Sequence, residues 1–360
     1  MGFFAWLTEP IRQTYRLAPH ELAVDPRGTA LPPPTFEADT FSRLEEQRLA
    51  AVAHRRRCLQ VGLPAALAAA GLTYWINQLR GYDGPDSAVR AVIALVLGAL
   101  IIRLLAEAGL WIFRKTAKHR VLSVLADQRD LEYSITGVDG HEIEPFEAHG
   151  LFGSSSNGGD TEDAFSGEID GVEFLLFEAE RMRYNRSSNG GSSSQVFHGL
   201  CLRLSFPKRF SGTTRVLSDD DALGDRHAED AGVPLERVRL EDPRFEEHFE
   251  AVSSDQVEAR YLLTPGLMER LVDVQTVPGE RTRLRAAFHD RHLLITLDTR
   301  RNRPVRARIL GDKLNQLHHF EIKDASRPVD QMDITRQFEQ EMAVIGALVK
   351  TLNINMGTRV

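Results

Sequence analysis

The sequence predicts an α+β protein: a two-helix transmembrane hairpin, then a cytoplasmic domain of antiparallel β-sheet with covering helices, including a long C-terminal helix. Three observations predict this class. Two apolar runs, 59–79 and 88–113, stand back to back. Short alternating runs separated by turn signals follow them, and the final stretch repeats apolar residues every three or four positions.

The two apolar runs are long enough to cross a membrane. A helix rises about 1.5 Å per residue, so run 59–79 extends roughly 30 Å, the thickness of the hydrocarbon core. Run 88–113 is denser in Ile, Val and Leu. Gly81, Gly84 and Pro85 between the runs predict a short turn and therefore antiparallel helices. The alternative is a soluble helical hairpin buried in a protein core.

Basic residues flank the two runs at the same end of the predicted hairpin. They are Arg55, Arg56 and Arg57 before the first run, and Arg114, Lys115, Lys118 and Arg120 after the second. Cytoplasmic flanks of membrane helices carry the excess of Lys and Arg. We therefore expect a multi-pass protein of the cytoplasmic (inner) membrane with both termini in the cytoplasm.

Two charged residues interrupt the second run. Arg103 and Glu107 are four positions apart, so they lie on one face of the helix. A central Arg costs on the order of 2.5–3.5 kcal/mol on insertion scales, and a neighbouring carboxylate reduces that cost. Two interpretations stay open. The residues are an intramembrane pair that forms a polar site or proton path, or a structural ion pair that fixes packing against the first helix or another copy of the chain.

The chain is expected to have three parts. Residues 1–35 form an N-terminal segment and a Pro-rich linker. Residues 36–130 form the membrane hairpin with cytoplasmic helical extensions, from a helix that begins near Asp39 to one that ends near Gln128. Residues 131–360 form the cytoplasmic α+β domain.

Strands are predicted where apolar and polar residues alternate. Residues 164–182 are typical of a β-hairpin with Asp170-Gly171 at its tip. Run 196–206 alternates strongly and predicts a central antiparallel strand. Further strands are predicted at 131–136 and 213–217, and a second hairpin at 284–297. The segments 153–159 and 187–194 are rich in Gly and Ser and are predicted to be flexible loops.

Helix-start signals punctuate the remainder. Asp242-Pro243 and Thr264-Pro265 have the pattern of an N-cap followed by Pro, and Asp255 and Glu258 have capping-box spacing. The long final helix is predicted over about 330–352. Its apolar stripe either covers the sheet or pairs with another helix, and we expect it to cover the sheet.

Several segments together resemble a known family. They are FSGEIDGVEFLLFEAE, VFHGLCLRLSFPKRFSGTTRVL and LERVRLEDPRFEEHFEAVSSDQVEARYLLTPGLMERL. With the two membrane helices, they resemble a family of uncharacterised bacterial membrane proteins, domain of unknown function 3137, over roughly Thr40 to Leu297. The resemblance implies a membrane topology and a bacterial source. It implies no reaction and no catalytic residue.

The sequence predicts no cofactor and no metal. The formal net charge of −7 is not typical of a nucleic-acid-binding protein. Cys58 and Cys201 are the only cysteines, and they are too few and too distant for a disulfide framework or a zinc site. Glycine spacing at 153–158 matches a phosphate-binding loop, but Gly159 and Asp160 replace the required Lys and Ser/Thr. Catalytic residues are therefore unknown.

One basic cluster is a candidate contact surface. It consists of Arg300, Arg301, Arg303, Arg306 and Arg308. Each basic residue near an anionic leaflet contributes about 1 kcal/mol, so this segment is expected either to touch anionic lipid headgroups or an acidic partner, or to pair with the protein's own carboxylates.

The leading functional hypothesis is a membrane-anchored binding or scaffolding protein. Its expected partners are the lipid bilayer, anionic headgroups, and a protein partner or further copies of the chain. The alternatives are a membrane-bound enzyme acting on a lipid or peptide, which would need a pocket lined by charged side chains, and an oligomeric channel or transporter subunit that uses Arg103 and Glu107.

Overall fold

A computed structural model describes most of the chain. The described residues are 38–81, 85–153, 156–187, 190–205, 209–218, 234–275, 283–299, 320, 322, 328–329 and 333–357. The chain divides into two compact units. One, the helical unit, contains the described residues up to Val124 and those within Glu321–Arg336. The other, the sheet domain, contains Leu125–Phe320 and Gln337–Val360.

Two long helices form the helical unit: α1 (Ala38–Leu79) and α2 (Pro85–Asp127). They comprise 42 and 43 residues, so at about 1.5 Å per residue each is roughly twice as long as the hydrocarbon core is thick. Both helices extend beyond their apolar runs, as the sequence predicts. Residues 82–84 at the predicted turn lie outside the described residues.

Small residues hold the two helices close together. A Cβ atom on Gly62 would lie 2.7 Å from the Ile102 side chain, and one on Gly98 would lie 3.2 Å from the Ala66 Cβ atom. Close approach at small residues is typical of helix pairs in membranes, where packing replaces the hydrophobic effect between helices. These two contacts also fix the antiparallel register of α1 and α2.

The outer surfaces of α1 and α2 are apolar. Among the described residues, the exposed large hydrophobic side chains lie on these two helices except for Ile135, Tyr184, Val257 and Tyr261. The most apolar windows of the two helices are only 11% and 0% buried. A core helix of a soluble protein would be mostly buried, so α1 and α2 are two candidate membrane spans, which points to membrane association.

The sheet domain is built on one antiparallel nine-stranded sheet in the order β1-β2-β3-β4-β9-β8-β5-β7-β6. Its strands are β1 (Glu132–Ser134), β2 (Gly158–Ile169), β3 (Val172–Ser187), β4 (Gly190–Ser205), β5 (Thr214–Ser218), β6 (Glu236–Val238), β7 (Phe249–Ser253), β8 (Arg283–His289) and β9 (His292–Asp298). The predicted α+β class is confirmed, and β4 is an interior strand as predicted.

Turn chemistry explains the β2–β3 connection. Asp170 and Gly171 have φ angles of 48° and 78°, the left-handed conformations that a tight hairpin turn requires and that favour Gly and Asp. The predicted β-hairpin at this position is therefore confirmed.

The prediction of a flexible loop over 187–194 is wrong for residues 187 and 190–194, and residues 188–189 lie outside the described residues. The β3–β4 ladder includes the described part, pairing Tyr184 with Ser193, Asn185 with Ser192 and Ser187 with Gly190. Backbone hydrogen bonds make this ladder, so it does not need apolar side chains. Ser192, Ser193 and Ser194 are exposed, which explains why their composition resembles that of a loop.

Each face of the sheet has its own cover. Helix α3 (Gly140–Ala148), which the sequence did not predict, and the segment after it cover one face; their apolar side chains pack with Phe177, Cys201 and Leu294. Three short helices follow later in the chain: α4 (Pro243–His248), α5 (Gln256–Leu262) and α6 (Pro265–Gln275). The predicted caps are confirmed at Asp242 and Asp255, whose carboxylates each accept two backbone N–H bonds.

The last helix, α7 (Asp333–Gly357), is confirmed in type and in its contact with the sheet. Its residue Phe338 lies 5.2 Å from Phe165 of β2, measured between ring centroids. Phe165 also contacts Phe320 and Tyr133. These rings pack the apolar stripe of α7 onto the sheet.

Candidate functional site

Glu107 contacts the first helix of the hairpin. Its carboxylate lies 3.1 Å from the Arg55 guanidinium of α1, and both side chains are about two-fifths exposed. Arg103, one turn along α2, is exposed and has no hydrogen-bond or ion-pair partner among the described residues. The pairing of Arg103 with Glu107 stays a prediction, and the ion pair that the structure contains joins the two helices.

The helix register locates these charges near one end of the first apolar run. Because Gly62 opposes Ile102 and Gly98 opposes Ala66, Arg103 is level with about Val61. That level is two residues, or about 3 Å, inside the predicted beginning of the first span at position 59. Glu107 is level with the basic flank of α1. The first span therefore places the polar group near its end, whereas in the longer second run Arg103 lies ten residues, or about 15 Å, before the predicted end at position 113.

A histidine and a cysteine lie beside this ion pair. The Nε2 atom of His54 is 3.4 Å from the Cys58 Sγ atom and 3.3 Å from the Leu105 carbonyl oxygen. The His54 ring also packs where a Cβ on Gly109 would lie, at 3.2 Å. His54 of α1 therefore contacts the backbone of α2 directly beside the Arg55–Glu107 pair.

The predicted arginine cluster is not part of this geometry. Arg300, Arg301, Arg303, Arg306 and Arg308 lie outside the described residues, and their contact with lipid or an acidic partner stays a prediction.

An open cleft lies between α3 and strands β2 and β3 of the sheet domain. Its volume is about 450 Å³. Its lining is mostly polar and consists of Thr136, Val138, Gly140, Ile143, Glu147, Gly159, Asp160, Thr161 and Arg181. The cleft could not be inferred from local sequence patterns, because it forms only when α3 docks beside strands that follow it in the chain.

The polar side chains of the cleft are mostly bonded to one another. Arg181 donates hydrogen bonds to the Glu147 carboxylate and, at 3.3 Å, to the Ser156 hydroxyl, which itself donates to Glu147 at 2.8 Å. The Thr161 hydroxyl donates to the Val138 carbonyl and accepts from the Val138 N–H, both at 3.0 Å. These hydrogen bonds between protein groups hold the cleft lining rigid. They leave the Asp160 carboxylate as the main charged group of the cleft that is open to a ligand.

Buried polar groups fasten the segment after α3 to the sheet. The Leu151 carbonyl accepts hydrogen bonds from the Thr296 hydroxyl at 2.9 Å and from the Arg285 guanidinium at 3.3 Å. A Cβ on Gly153 would lie 2.6 Å from that guanidinium, and the φ of Gly153 is 85°. The positive φ favours glycine at position 153, so the glycine spacing at 153–158 has a structural explanation at Gly153.

Two titratable groups in the sheet domain have strongly raised pKa values. Burial raises the pKa of the Cys201 thiol, which has no exposed surface. Burial, together with the nearby Asp163 carboxylate, raises the pKa of Tyr133, whose hydroxyl donates to that carboxylate at 2.7 Å. Both groups stay protonated at neutral pH, so neither has the properties of a nucleophile.

No group of three or more His, Cys, Asp or Glu side chains that could hold a metal ion occurs within the described ranges. The fold and its polar groups thus define a class of protein: two candidate membrane spans joined to an antiparallel α+β domain with an open polar cleft.

A sequence comparison matches the C-terminal part of the chain to a family. Residues 195–354 match the family described as "Protein of unknown function (DUF3137)". This is the family that the sequence motifs resemble, and the match covers less than half of the chain. It begins and ends later than the expected range, and it leaves the two long helices outside.

One solved structure is similar to this chain at low level. It is the crystal structure of the mycobacterial trehalose monomycolate transport factor A, TtfA, with 9% sequence identity and a TM-score of 0.32, covering 64% of this chain and 96% of that one. With so low a score, the likeness supports no conclusion about this chain. No curated protein matches the chain by sequence.

Proposed function

We propose that this chain is a membrane-anchored binding protein whose hairpin spans the cytoplasmic membrane and whose sheet domain lies in the cytoplasm. The distribution of exposed apolar side chains carries this proposal, because all but four of those described lie on α1 and α2. Soluble proteins rarely expose contiguous apolar surface of this extent to water. A helix in lipid satisfies its own backbone hydrogen bonds and exposes such side chains without cost.

The proposed orientation rests on charge. Arg55, Arg56 and Arg57 of α1 are level with Glu107 of α2. On α2, Arg114 and Lys115 follow Glu107 by about two turns, toward the same end of the hairpin. This end of the hairpin therefore carries the Lys and Arg excess that is typical of cytoplasmic flanks. The sheet domain begins directly after α2 and would lie on the same side.

Binding is favoured over catalysis by the state of the cleft. A membrane-bound enzyme acting on a lipid or peptide would need several charged groups free to react, yet Arg181 and Glu147 are bonded to each other and leave Asp160 as the open charged group of the cleft. A channel or transporter subunit would need Arg103 on a pore axis deep in the membrane. Its level near the end of the first span favours an anchor instead.

Cysteine labelling in intact cells tests the topology. Asp86 at the turn and Glu168 in the sheet domain are both exposed, so each can be replaced by Cys in a Cys58→Ala background, where buried Cys201 does not react. We expect a membrane-impermeant maleimide to label D86C in intact cells and E168C only after permeabilisation. Labelling of E168C in intact cells contradicts the proposed orientation.

Purification of the full-length chain from native membranes tests the binding role. We expect a partner to copurify in fixed proportion with the chain. If instead the purified chain turns over a lipid or peptide and Asp160→Asn abolishes the activity, the enzyme alternative is correct. A chain that remains in the soluble fraction refutes the membrane anchor altogether.

A further inference from the structure

Three charged side chains form a row along one flank of the hairpin. Arg103 and Glu107 lie on the same face of α2, one turn apart, and Glu107 is bonded to Arg55 of α1 at 3.1 Å. From the register, the row extends about six residues, or roughly 9 Å, along the hairpin. It carries two positive charges and one negative charge, so its net charge is +1.

The surroundings of Arg103 are apolar. Leu100 lies about one turn before Arg103 on α2 and is 51% exposed, and Leu104 follows Arg103 directly and is 60% exposed. Arg103 itself is exposed, and among the described residues no carboxylate or carbonyl bonds its guanidinium. A guanidinium in an apolar surrounding needs a counter-charge or hydrogen-bond acceptors.

The level of Arg103 limits where that acceptor can come from. Measured against the first span, which begins at position 59, the guanidinium originates about 3 Å inside the boundary, and the long aliphatic stem of Arg lets its charged end reach the headgroup region. Arg55 is four residues before position 59 and therefore lies about 6 Å outside the same boundary. Lipid phosphates occupy this layer, and the planar guanidinium matches phosphate geometry with two parallel hydrogen bonds.

We propose that Arg103 and the Arg55–Glu107 pair form a binding site for the headgroup phosphate of an anionic phospholipid on the flank of the hairpin. This inference rests on the proposed membrane insertion. Arg103 binds the phosphate directly. Glu107 bonds Arg55 and so competes with the phosphate for it, and the exposed Arg56 and Arg57 attract anionic lipid to the same layer.

Native mass spectrometry of the full-length chain in detergent tests the proposal, with phosphatidylglycerol and phosphatidylcholine as probes. We expect the chain to retain phosphatidylglycerol in preference, and Arg103→Gln to reduce that retention about fivefold, the equivalent of about 1 kcal/mol per basic residue. The matched control is Arg120→Gln. Arg120 is also exposed on α2 but about 25 Å further along the helix, so this variant should retain lipid as the unchanged chain does.

A second variant separates lipid binding from a structural ion pair. Glu107→Gln removes the carboxylate that competes with phosphate, so we expect phosphatidylglycerol retention to rise about fivefold by the same conversion. If the charges serve only to fix helix packing, Glu107→Gln lowers the melting temperature and does not raise retention, and the proposal is overturned. It is overturned also if Arg103→Gln retains as much lipid as the unchanged chain, or if both lipids are held equally. If Arg103→Gln does not fold, Glu107→Gln decides.

Failure of the underlying membrane anchor gives a different result. In that case the chain fractionates with soluble proteins and needs no detergent. A chain that fractionates with membranes but fails the lipid test refutes the phosphate site alone.

Discussion

Replacing Phe165 by Ala should loosen the C-terminal helix from the sheet. The Phe165 ring has no exposed surface, and its centroid lies 4.9 Å from Tyr133, 5.4 Å from Phe320 and 5.2 Å from Phe338. Core Phe→Ala substitutions cost about 3–5 kcal/mol in unfolding free energy. In a domain of this size, 1 kcal/mol shifts the melting temperature by about 2–4 °C, so we expect a decrease of about 6–20 °C.

Near-ultraviolet circular dichroism during thermal unfolding of the full-length chain measures this shift. Ile135→Ala is the control, because Ile135 is 49% exposed and such surface changes usually cost within about 0.5 kcal/mol. Hydrogen exchange locates the effect, since amides of α7 should lose protection in Phe165→Ala. A melting temperature equal to that of the control, or unchanged protection in α7, would refute the packing that we describe.

Three further predictions concern single positions. Gly62→Leu should destabilise the hairpin in detergent, because the new Cβ would lie 2.7 Å from the Ile102 side chain. Gly71→Leu should be tolerated, because no atom lies within 4 Å of the position of its Cβ. Melting curves of the two variants test this difference. Burial, reinforced by the charge of Arg203, lowers the pKa of His292 below its ordinary 6.5. The unfolded chain then binds more protons just below pH 6.5, so this contribution to stability is complete above that pH and is lost as the pH falls. Urea unfolding from pH 7 to 5 should show the slope, and His292→Gln should reduce it. Buried Cys201 should react with a maleimide only after denaturation, and mass spectrometry of labelled peptides would reveal early labelling if its burial is wrong.

Local signals determined what could be predicted from the sequence. The helix starts at Asp242 and Asp255 depend on a side chain and the next three residues, and the turn at Asp170-Gly171 depends on two φ angles. Such interactions are contained in the sequence itself. By contrast, α3 has a start signal at Asp139 and Glu142, but Pro145 inside the helix obscures it. The cleft that contains Glu147 and Arg181 forms only when α3 packs on strands that follow it, so it could not be predicted.

The ion-pair partner of Glu107 also depends on a contact between residues that are distant in the sequence. Sequence spacing suggests Arg103, but with Arg before Glu at i and i+4 the order is the less favourable one for an ion pair on a helix. Arg55 is 52 positions away in the sequence and becomes a neighbour only through the register that Gly62 and Gly98 allow. Because Glu107 bonds across the hairpin, the proposed membrane insertion would leave the Arg103 guanidinium available to a lipid acceptor. The small residues that bring the helices together would then also determine which charge faces the lipid, so a bulky residue at Gly98 should alter lipid retention as well as stability.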